Sequence, residues 1–490
     1  MNEIIWLIIG PILTAFSLLI INLYFEKIFK GVIISSGIFI FVLSCNLFRK
    51  ALIKPIVYSL GSWEVTKGIN LIADPLAGLL VFIVALLNLL IIIYSLVYIN
   101  RDISKYYTLL FVLTAALNGM VLTGDLFNLF VCVEIVSIVS YALVAFRRTK
   151  AAYEASFKYI IIGTLGSFFV LLAIILTYQQ TGTLNLAQLV RDSQNIADIS
   201  KTAIISLFLI GFGSKFALVP LHTWLPDAHP AAPSSISALL SGIVIKGYLY
   251  AWLRTLLVLS NPSQILSSSL NLILIYFGVV TLLVGHLLAL QQQNLKRLLA
   301  YSSISQIGYI MIGIATFTKQ GMSGAVFHIV NHAVVKSALF LTAGIFSEKL
   351  KAKKIKDLVG SGYKAPVMGL SFTVAAVTII GLPPFNIFIS KWLIALSAVK
   401  AGFIIPAGTI LLGSILALTY YLKVIKVIYT KEKSEYQRLT IKWQLKFPVI
   451  ILTVFCLGIG LFPQMLVPKL KQAVGYLLDA TQYYQILFAG

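Results

Sequence analysis

Long apolar runs recur from one end of this chain to the other, and they restrict its fold more than any other feature. Runs of about 18 or more apolar residues are long enough to cross the hydrocarbon core of a bilayer as a helix. Only 11% of the 490 residues are charged, whereas soluble domains carry roughly 25%. The first run, Ile4 to Leu23, lacks a basic start and a small-residue cleavage site, so we expect a retained helix. The sequence therefore predicts an all-α polytopic membrane protein with about 14 transmembrane helices.

The basic residues are distributed unevenly between the loops. A formal net charge of +22 is also found in nucleic-acid-binding proteins, but here the lysines and arginines fall in short loops between apolar runs. About 22 of them lie in odd-numbered loops and about nine in even-numbered loops. Because basic loops stay in the cytoplasm, this asymmetry predicts a multi-pass protein of the plasma membrane with both termini on the outer side. We expect the lipid bilayer as its surroundings and no nucleic acid as a partner.

No cofactor motif accompanies the apolar runs. Cys45, Cys132 and Cys456 lie within such runs without CxxC spacing, which argues against an iron–sulfur cluster or a zinc site. The sequence contains no phosphate-binding loop and no Ser/His/Asp constellation. We therefore expect no cofactor and no metal, so that an ion gradient or a partner subunit must supply any energy.

An acid and a base stand at membrane depth, where an ionisable side chain costs several kcal/mol unless it faces a partner or a wet cavity. Glu134 follows Asp125 by nine residues, which is about 13 Å along a helix and near the middle of a bilayer. Lys215 is its natural partner, because an opposite charge lowers the cost of burying each group. The alternatives are a structural carboxylate that never titrates and a lysine that extends to the membrane interface.

Further titratable residues follow in later apolar runs. Lys246 is at a depth where a lysine can exchange protons near neutral pH. His328, His332 and Lys336 are spaced i, i+4 and i+8, which places them on one helix face over about 12 Å. Histidine titrates at physiological pH, so the stripe predicts proton transfer; structural histidines are the alternative. The HxxxH spacing could bind a metal, but it lacks the glutamate of a zincin motif. His286 stands alone, and a structural role is its simpler interpretation.

Proline interrupts two of the apolar segments. Proline removes a backbone donor and breaks a helix, and broken backbone at membrane depth is tolerated only inside protein or beside a water-filled cavity. A lysine lies near each break, Lys215 before the first and Lys391 after the second, and this mirrored order is typical of an inverted repeat. The prolines are Pro220 and Pro226 in the first segment and Pro383 and Pro384 in the second.

Other polar residues near the ends of the apolar runs are candidates for proton access or exit. Asp125 also suits the N-cap of a helix, and Lys296 also suits a simple topology signal. His222 lies just after Pro220 and His229 just before Pro230, and we expect both in a loop at the outer surface. The candidates are Asp125, His222, Asp227, His229 and Lys296.

Five motifs in a fixed order carry a family resemblance: Asp125 to Glu134, Lys215 to Pro226, Asn294 to Gly308, Phe327 to Lys336, and Gly381 to Lys391. With them the chain resembles the antiporter-like subunits, from about residue 70 to residue 430. That family includes the D subunit of Mrp-type sodium/proton antiporters, the pumping subunits of complex I and the equivalent subunits of membrane-bound hydrogenases.

The resemblance implies two inverted five-helix repeats with broken helices 7 and 12. The implied organisation is an N-terminal three-helix segment (1–105), a first repeat (106–256), a second repeat (257–430), and a C-terminal loop with the last helix and a short tail (431–490). The implied roles are an input pair, central proton carriers and a terminal group. These are Glu134 with Lys215, then Lys246, His328, His332 and Lys336, then Lys391.

Three functions are compatible with the sequence. The first is a subunit of a multisubunit cation/proton antiporter, moving protons with or without coupled sodium. The second is a proton- or sodium-pumping subunit of a redox-driven hydrogenase or NADH/quinone oxidoreductase complex. The third is a membrane scaffold, against which the ionisable residues at membrane depth argue. Lys391 and the short tail after Pro468 favour the Mrp D type or a hydrogenase-type relative. We expect other membrane subunits as partners, and an isolated chain that is a transporter subunit and no enzyme.

Overall fold

The computed structural model describes residues 3–64, 68–260, 270–431, 437–479, 483–485 and 488. Within them, twelve helices are long and apolar enough to cross a membrane, which confirms the predicted class of polytopic helical membrane protein. The described residues form one sheet, an antiparallel pair of short strands, β1 (Ile56–Ser59) and β2 (Asn70–Ala73). The predicted repeats and domain boundaries stay predictions.

The helices run in sequence from one end of the chain to the other. The first part contains α1 (Glu3–Tyr24), α2 (Glu26–Ile53), α3 (Pro75–Tyr98), α4 (Ile103–Leu122), α5 (Leu126–Val144), α6 (Lys150–Thr181), α7 (Leu186–Asp192), α8 (Asp198–Lys215), α9 (Leu225–Ala231), α10 (Ser234–Leu239) and α11 (Ile245–Leu259). The second part contains α12 (Leu270–Leu290), α13 (Leu295–Ala315), α14 (Lys319–Lys349), α15 (Ser361–Lys364), α16 (Pro366–Ile380), α17 (Asn386–Lys400), α18 (Ile404–Ile428), α19 (Trp443–Leu461) and α20 (Val467–Leu478).

Polar residues cap the first turns of several membrane helices. A side-chain oxygen at the N-cap accepts a hydrogen bond from a backbone N–H that has no partner within the helix. The caps explain why the apolar runs become helices at these points in the chain. They are Asp74, Asp125, Thr149, Asn294 and Thr318.

Both proline segments interrupt a helix, as the sequence predicts. Helix α8 ends at Lys215, residues 216–224 form turns, and Pro220 lies within them. Pro226 lies in the first turn of α9, where a missing N–H removes no helical bond. In the second segment, Pro383 and Pro384 lie between α16 and α17. Each interruption of a helix therefore lies next to a lysine, Lys215 before the first and Lys391 after the second.

The most buried helices lie at the centre of the protein. In α14, every residue of the most apolar 18-residue stretch is buried. The same is true of the most apolar stretch of the continuous span Ser234–Leu259. That span contains a π-helical turn at Leu240–Val244, between α10 and α11, and such turns are frequent at functional sites. By contrast, most residues of α1 and α2 are not buried. Titratable residues on α11 and α14 are consequently shielded from lipid by the surrounding helices.

Candidate functional site

The first cluster of the site surrounds the end of α8. Lys215 is fully buried, and its Nζ lies 3.3 Å from Glu134 Oε1. The same nitrogen donates to Ser167 Oγ at 2.6 Å and to Ser137 Oγ at 2.8 Å. The Ser167 hydroxyl donates in turn to Glu134, and Ser137 Oγ lies 2.8 Å from the Tyr248 hydroxyl. The predicted acid–base pair is thus in contact, and the two serines and the tyrosine are additional partners.

A close helix crossing places Ser167 beside Lys215. Helices α6 and α8 meet at Gly166 and Gly211, where a Cβ on either glycine would come within 2.8 Å of the carbonyl oxygen of the other. Side chains there would force the helices apart, so these glycines allow the short approach. Sequence reasoning missed Ser137 and Ser167, because single serines are common in apolar helices; the glycines facing each other were the available signal.

The central cluster contains basic side chains that have no acidic partner among the residues that the structure describes. Lys246 is buried, and its Nζ donates to the Ser241 carbonyl of its own helix. Lys336 is fully buried and donates to the Leu299 carbonyl at 2.8 Å. Both nitrogens of the buried His332 ring lack a hydrogen-bond partner among the described residues. Since almost all buried polar atoms in proteins are hydrogen-bonded, His332 is an exception that points to function.

The third cluster surrounds His328 and Lys391. His328 Nδ1 lies 2.9 Å from Ser390 Oγ and Nε2 lies 3.0 Å from Gln306 Oε1. The His328 ring centroid is 6.2 Å from that of His332. Lys391 is 4% exposed, and its Nζ donates to the Ile380 carbonyl at 2.9 Å. It also lines a cavity of about 440 Å³, whose wall includes exposed apolar side chains of α17 and α18.

Six of the seven predicted relay residues are buried and Glu134 is half-buried, and direct bonds do not join them all. Glu134, with a side chain 29% exposed, is the most accessible of them. In the part of the chain that the structure describes, no direct hydrogen bond joins Lys215 to Lys246. The described His, Cys, Asp and Glu residues also form no group of three or more that could hold a metal ion.

The expectation that His222 and His229 lie in an exposed loop is wrong. After Lys215 the chain turns and continues into α9. His229 is fully buried in α9, with neither ring nitrogen hydrogen-bonded among the described residues. His222 lies in the turns before α9 but is only 9% exposed. Asp227 of α9 pairs with Arg297 at 3.3 Å, which places α9 beside the start of α13.

The remaining access candidates lie at helix ends. Asp125 caps α5 by accepting from Asn128 N at 2.7 Å. Asp227 also pairs with Lys158 at 3.0 Å, beside an open cavity of about 440 Å³. Lys296 is 7% exposed, donates to the Ala232 carbonyl at 2.9 Å, and lines a second cavity of about 190 Å³. Pro230 and Ala231, at the end of α9, line both cavities.

Comparison with protein-family models gives a match over residues 123–419 to the family described as NADH:quinone oxidoreductase/Mrp antiporter, TM. The chain is 32% identical to the N subunit of the NADH-quinone oxidoreductase of Desulforudis audaxviator over 464 residues, covering 90% of this chain and 92% of the relative. It is 31% identical to the D subunit of the Na(+)/H(+) antiporter of Bacillus subtilis, covering 99% of each.

Solved structures have the same fold. A chain of an archaeal membrane-bound sulfane sulfur reductase, described as a respiratory membrane complex, superposes with a TM-score of 0.93 at 30% identity, covering 99% of this chain and all of that one (100%). A chain of the Mrp complex from a Dietzia species superposes with a TM-score of 0.92 at 26% identity, covering 99% and 98%.

Proposed function

The chain belongs to the NADH:quinone oxidoreductase/Mrp antiporter family of membrane subunits, and from this premise we propose that it is the proton-translocating subunit of a multisubunit cation/proton antiporter. A relative named as the D subunit of an antiporter covers 99% of the chain, and an Mrp complex shares its fold. Other membrane subunits are the partners, protons are the transported ion, and sodium is the coupled cation. The chain acts as a transporter subunit within that assembly.

One observation carries the proposal: the most buried part of the protein holds basic side chains without acidic partners. Within the described residues, Lys246, Lys336 and Lys391 form no salt bridge, although each is at most 4% exposed. Burying such groups is costly, and a scaffold could fill the same space with apolar side chains. The cost is understandable if these groups receive protons and pass them on.

The contact between Glu134 and Lys215 provides the input switch. A proton that arrives on Glu134 removes the negative charge that attracts the Lys215 ammonium. The lysine then keeps its bonds to Ser137 and Ser167 but loses its counter-charge, so its proton is driven toward the centre. Ser137 and Tyr248 extend from the lysine in that direction through a hydrogen bond. Lys246 lies on the same helix as Tyr248 and is the next acceptor.

Two features supply the routes to the membrane surfaces. Asp227, which lies on the same short helix as the buried His229, forms an ion-pair network with Lys158 and Arg297 beside the open cavity, and this network is the access route. At the other end of the relay residues, Lys391 lines the cavity beside α17 and α18 and is the terminal group. Asp125 serves as a helix cap and not as part of either route.

The membrane topology completes the proposal. The interrupted segments α8–α9 and α16–α17 add two crossings to the twelve long helices, and the two segments are counterparts in inverted repeats. The basic loops lie in the cytoplasm, both termini lie outside, and the membrane is the plasma membrane. A reporter fused to the C-terminus that is active only outside the cell tests the orientation.

Proton flux in everted vesicles that contain the assembled complex tests the function. We expect cation-driven proton movement with the unaltered chain, and none with Lys215→Ala in a complex of normal composition. Lys201→Ala is the matched control, since Lys201 is a lysine near the other end of α8. Flux that is equal in all three preparations, or absent with the unaltered chain, contradicts the proposal.

A redox-driven pump is the second candidate. It is favoured by the 30% identity and the TM-score of 0.93 to a chain of the archaeal respiratory complex, and by the similarity to the N subunit of an NADH-quinone oxidoreductase. The same relay residues, from Glu134 to Lys391, would serve either complex. Copurification decides between them: subunits that carry iron–sulfur clusters indicate the redox pump, and small membrane subunits alone indicate the antiporter.

A further inference from the structure

His286 is a buried titratable residue that the proposed relay does not use. It lies in α12 and is fully buried, on a different helix from His328, His332 and Lys336. Unlike His332, it has a partner for each ring nitrogen. Its Nδ1 lies 3.1 Å from the Tyr420 hydroxyl and its Nε2 lies 3.2 Å from the Tyr309 hydroxyl.

This arrangement suits proton transfer. A neutral imidazole has one N–H donor and one nitrogen acceptor, so one tyrosine donates to the ring while the other accepts from it. A proton taken up at one nitrogen and released from the other leaves a neutral ring in the opposite tautomer. His286 can therefore pass a proton between Tyr420 and Tyr309 without moving its position.

Tyr420 packs against a hydrogen-bonded group that includes Lys336. Its ring centroid lies 4.8 Å from that of Tyr421, whose hydroxyl lies 2.9 Å from Ser302 Oγ. The Tyr421 hydroxyl accepts a hydrogen bond from Lys336 Nζ at 3.4 Å. The Tyr421 and Ser302 hydroxyls are thus the groups available to carry a proton from the last basic residue of the α14 stripe to Tyr420.

On the other side, Tyr309 and Lys391 meet at the same turn of α18. The Tyr309 and Ser414 hydroxyls both donate to the Ile410 carbonyl, at 3.4 Å each, and Lys391 Nζ donates to Ser414 Oγ at 3.1 Å. The same nitrogen lies 4.3 Å from the centroid of the Tyr309 ring.

A glycine keeps this space open. Gly413 of α18 faces the bond between His286 and Tyr309, and a Cβ there would overlap the tyrosine hydroxyl and lie 3.1 Å from His286 Nε2. A methyl group would therefore push apart the two groups that exchange the proton. A glycine at position 413 therefore leaves room for the hydrogen bond between His286 and Tyr309.

We propose that His286 is a further proton-relay residue, which connects Lys336 to Lys391 by a branch parallel to the one through His328. The inference rests on the proposed function. In each passage, the Ser302 hydroxyl turns toward Tyr420, and the Tyr309 hydroxyl turns from the Ile410 carbonyl toward Ser414. The Lys336 ammonium then loses a proton to the Tyr421 oxygen, every intervening group accepts one proton and releases another, and the neutral Lys391 amine gains one. Rotation of the hydroxyls and tautomer exchange of the imidazole then restore the starting state. The branch consists of Lys336, Tyr421, Ser302, Tyr420, His286, Tyr309, Ser414 and Lys391.

The test uses His286→Gln in the assembled complex. Glutamine offers one donor and one acceptor group to the two tyrosines, but it cannot titrate. We expect normal assembly and thermal stability, with proton flux reduced by roughly half, because the branch through His328 continues to carry protons. His286→Ala should reduce flux equally and also reduce stability. If His286 were only structural, glutamine would restore the flux that alanine removes.

The double variant tests whether the branches are parallel. His328→Gln alone should leave part of the flux, and His328→Gln with His286→Gln should leave almost none, a loss greater than the product of the two single losses. Unchanged flux in His286→Gln, or a double variant equal to His328→Gln alone, overturns the inference. If the unaltered complex moves protons and Lys215→Ala does not, such a result leaves the proposed function intact. If the unaltered complex moves none, the proposed function fails and the inference fails with it.

Discussion

The first and the last lysine of the proposed relay, Lys215 and Lys391, have different contacts. Lys215 contacts a carboxylate, Glu134, at 3.3 Å, whereas Lys391 contacts backbone carbonyls, a serine and the face of Tyr309. An ion pair can be switched by protonating its acid. Neutral oxygens and a ring offer no such switch; they only make a transient charge tolerable. Under the proposed function, this difference assigns the control of transport to Glu134 and its completion to Lys391.

The largest expected effect comes from removing the acid of the input pair. Glu134→Gln keeps the size of the side chain but abolishes its charge and its titration, so proton flux should fall at least about a hundredfold. Assembly should persist because Ser137 and Ser167 still bond Lys215. Vesicle flux assays measure the effect.

Glu348→Gln is the matched control, since Glu348 is a similarly accessible acid near the end of α14 that pairs with the neighbouring Lys349 at 3.4 Å. Its loss should leave flux near normal. Equal flux in the two variants would contradict the switch.

At the other end, Lys391→Arg distinguishes a titrating lysine from a fixed charge. Arginine keeps the positive charge but does not release its proton in proteins, so flux should fall by roughly tenfold to a hundredfold. Lys400→Arg on the same helix is the control, because Lys400 lies at the end of α17 and bonds Gln320. Normal flux in Lys391→Arg would mean that Lys391 supplies only charge.

His332→Ala probes the centre between the two ends. The ring has no hydrogen-bond partner among the described residues, so its removal breaks no such bond. We expect flux to fall about tenfold, with a smaller effect on assembly. Transport at the normal rate in a destabilised complex would instead indicate a structural histidine. Stability is followed by thermal unfolding of the purified complex.

The smallest expected effect is at Ser167, which bonds both members of the input pair. Ser167→Ala should lower flux about threefold and stability by about 1–2 kcal/mol, since one hydroxyl is lost from a charged pair. Ser206→Ala on α8 is the control, as that exposed serine bonds only Thr202 of its own helix. A loss as large as that of Glu134→Gln would show that the serine, and not the acid, governs the switch.

The titratable groups of the proposed relay could be picked out from the sequence because each is conspicuous in an apolar run, and their roles stay predictions. The prolines likewise predicted both helix interruptions. Sequence reasoning failed where tertiary contacts decide the role. Ser167 and Tyr309 look ordinary until helix packing brings them against a lysine, and the chain after Pro220 continues inward, which misplaced His229.

His286 shows the same limit. Alone in its run it resembles a structural histidine, and only the approach of α13 and α18 gives it two tyrosine partners. The spacing of residues along one helix predicted the α14 stripe, but no such periodicity connects residues that lie on separate helices.

Infrared difference spectroscopy of the assembled complex tests the central claim most directly, because it detects protonation of a carboxyl group. When a cation gradient drives turnover, the carbonyl stretch of a protonated carboxyl group should appear, disappear in Glu134→Gln and change in Lys215→Ala. Proton flux at the normal rate without any carboxyl signal that depends on Glu134 would contradict the account.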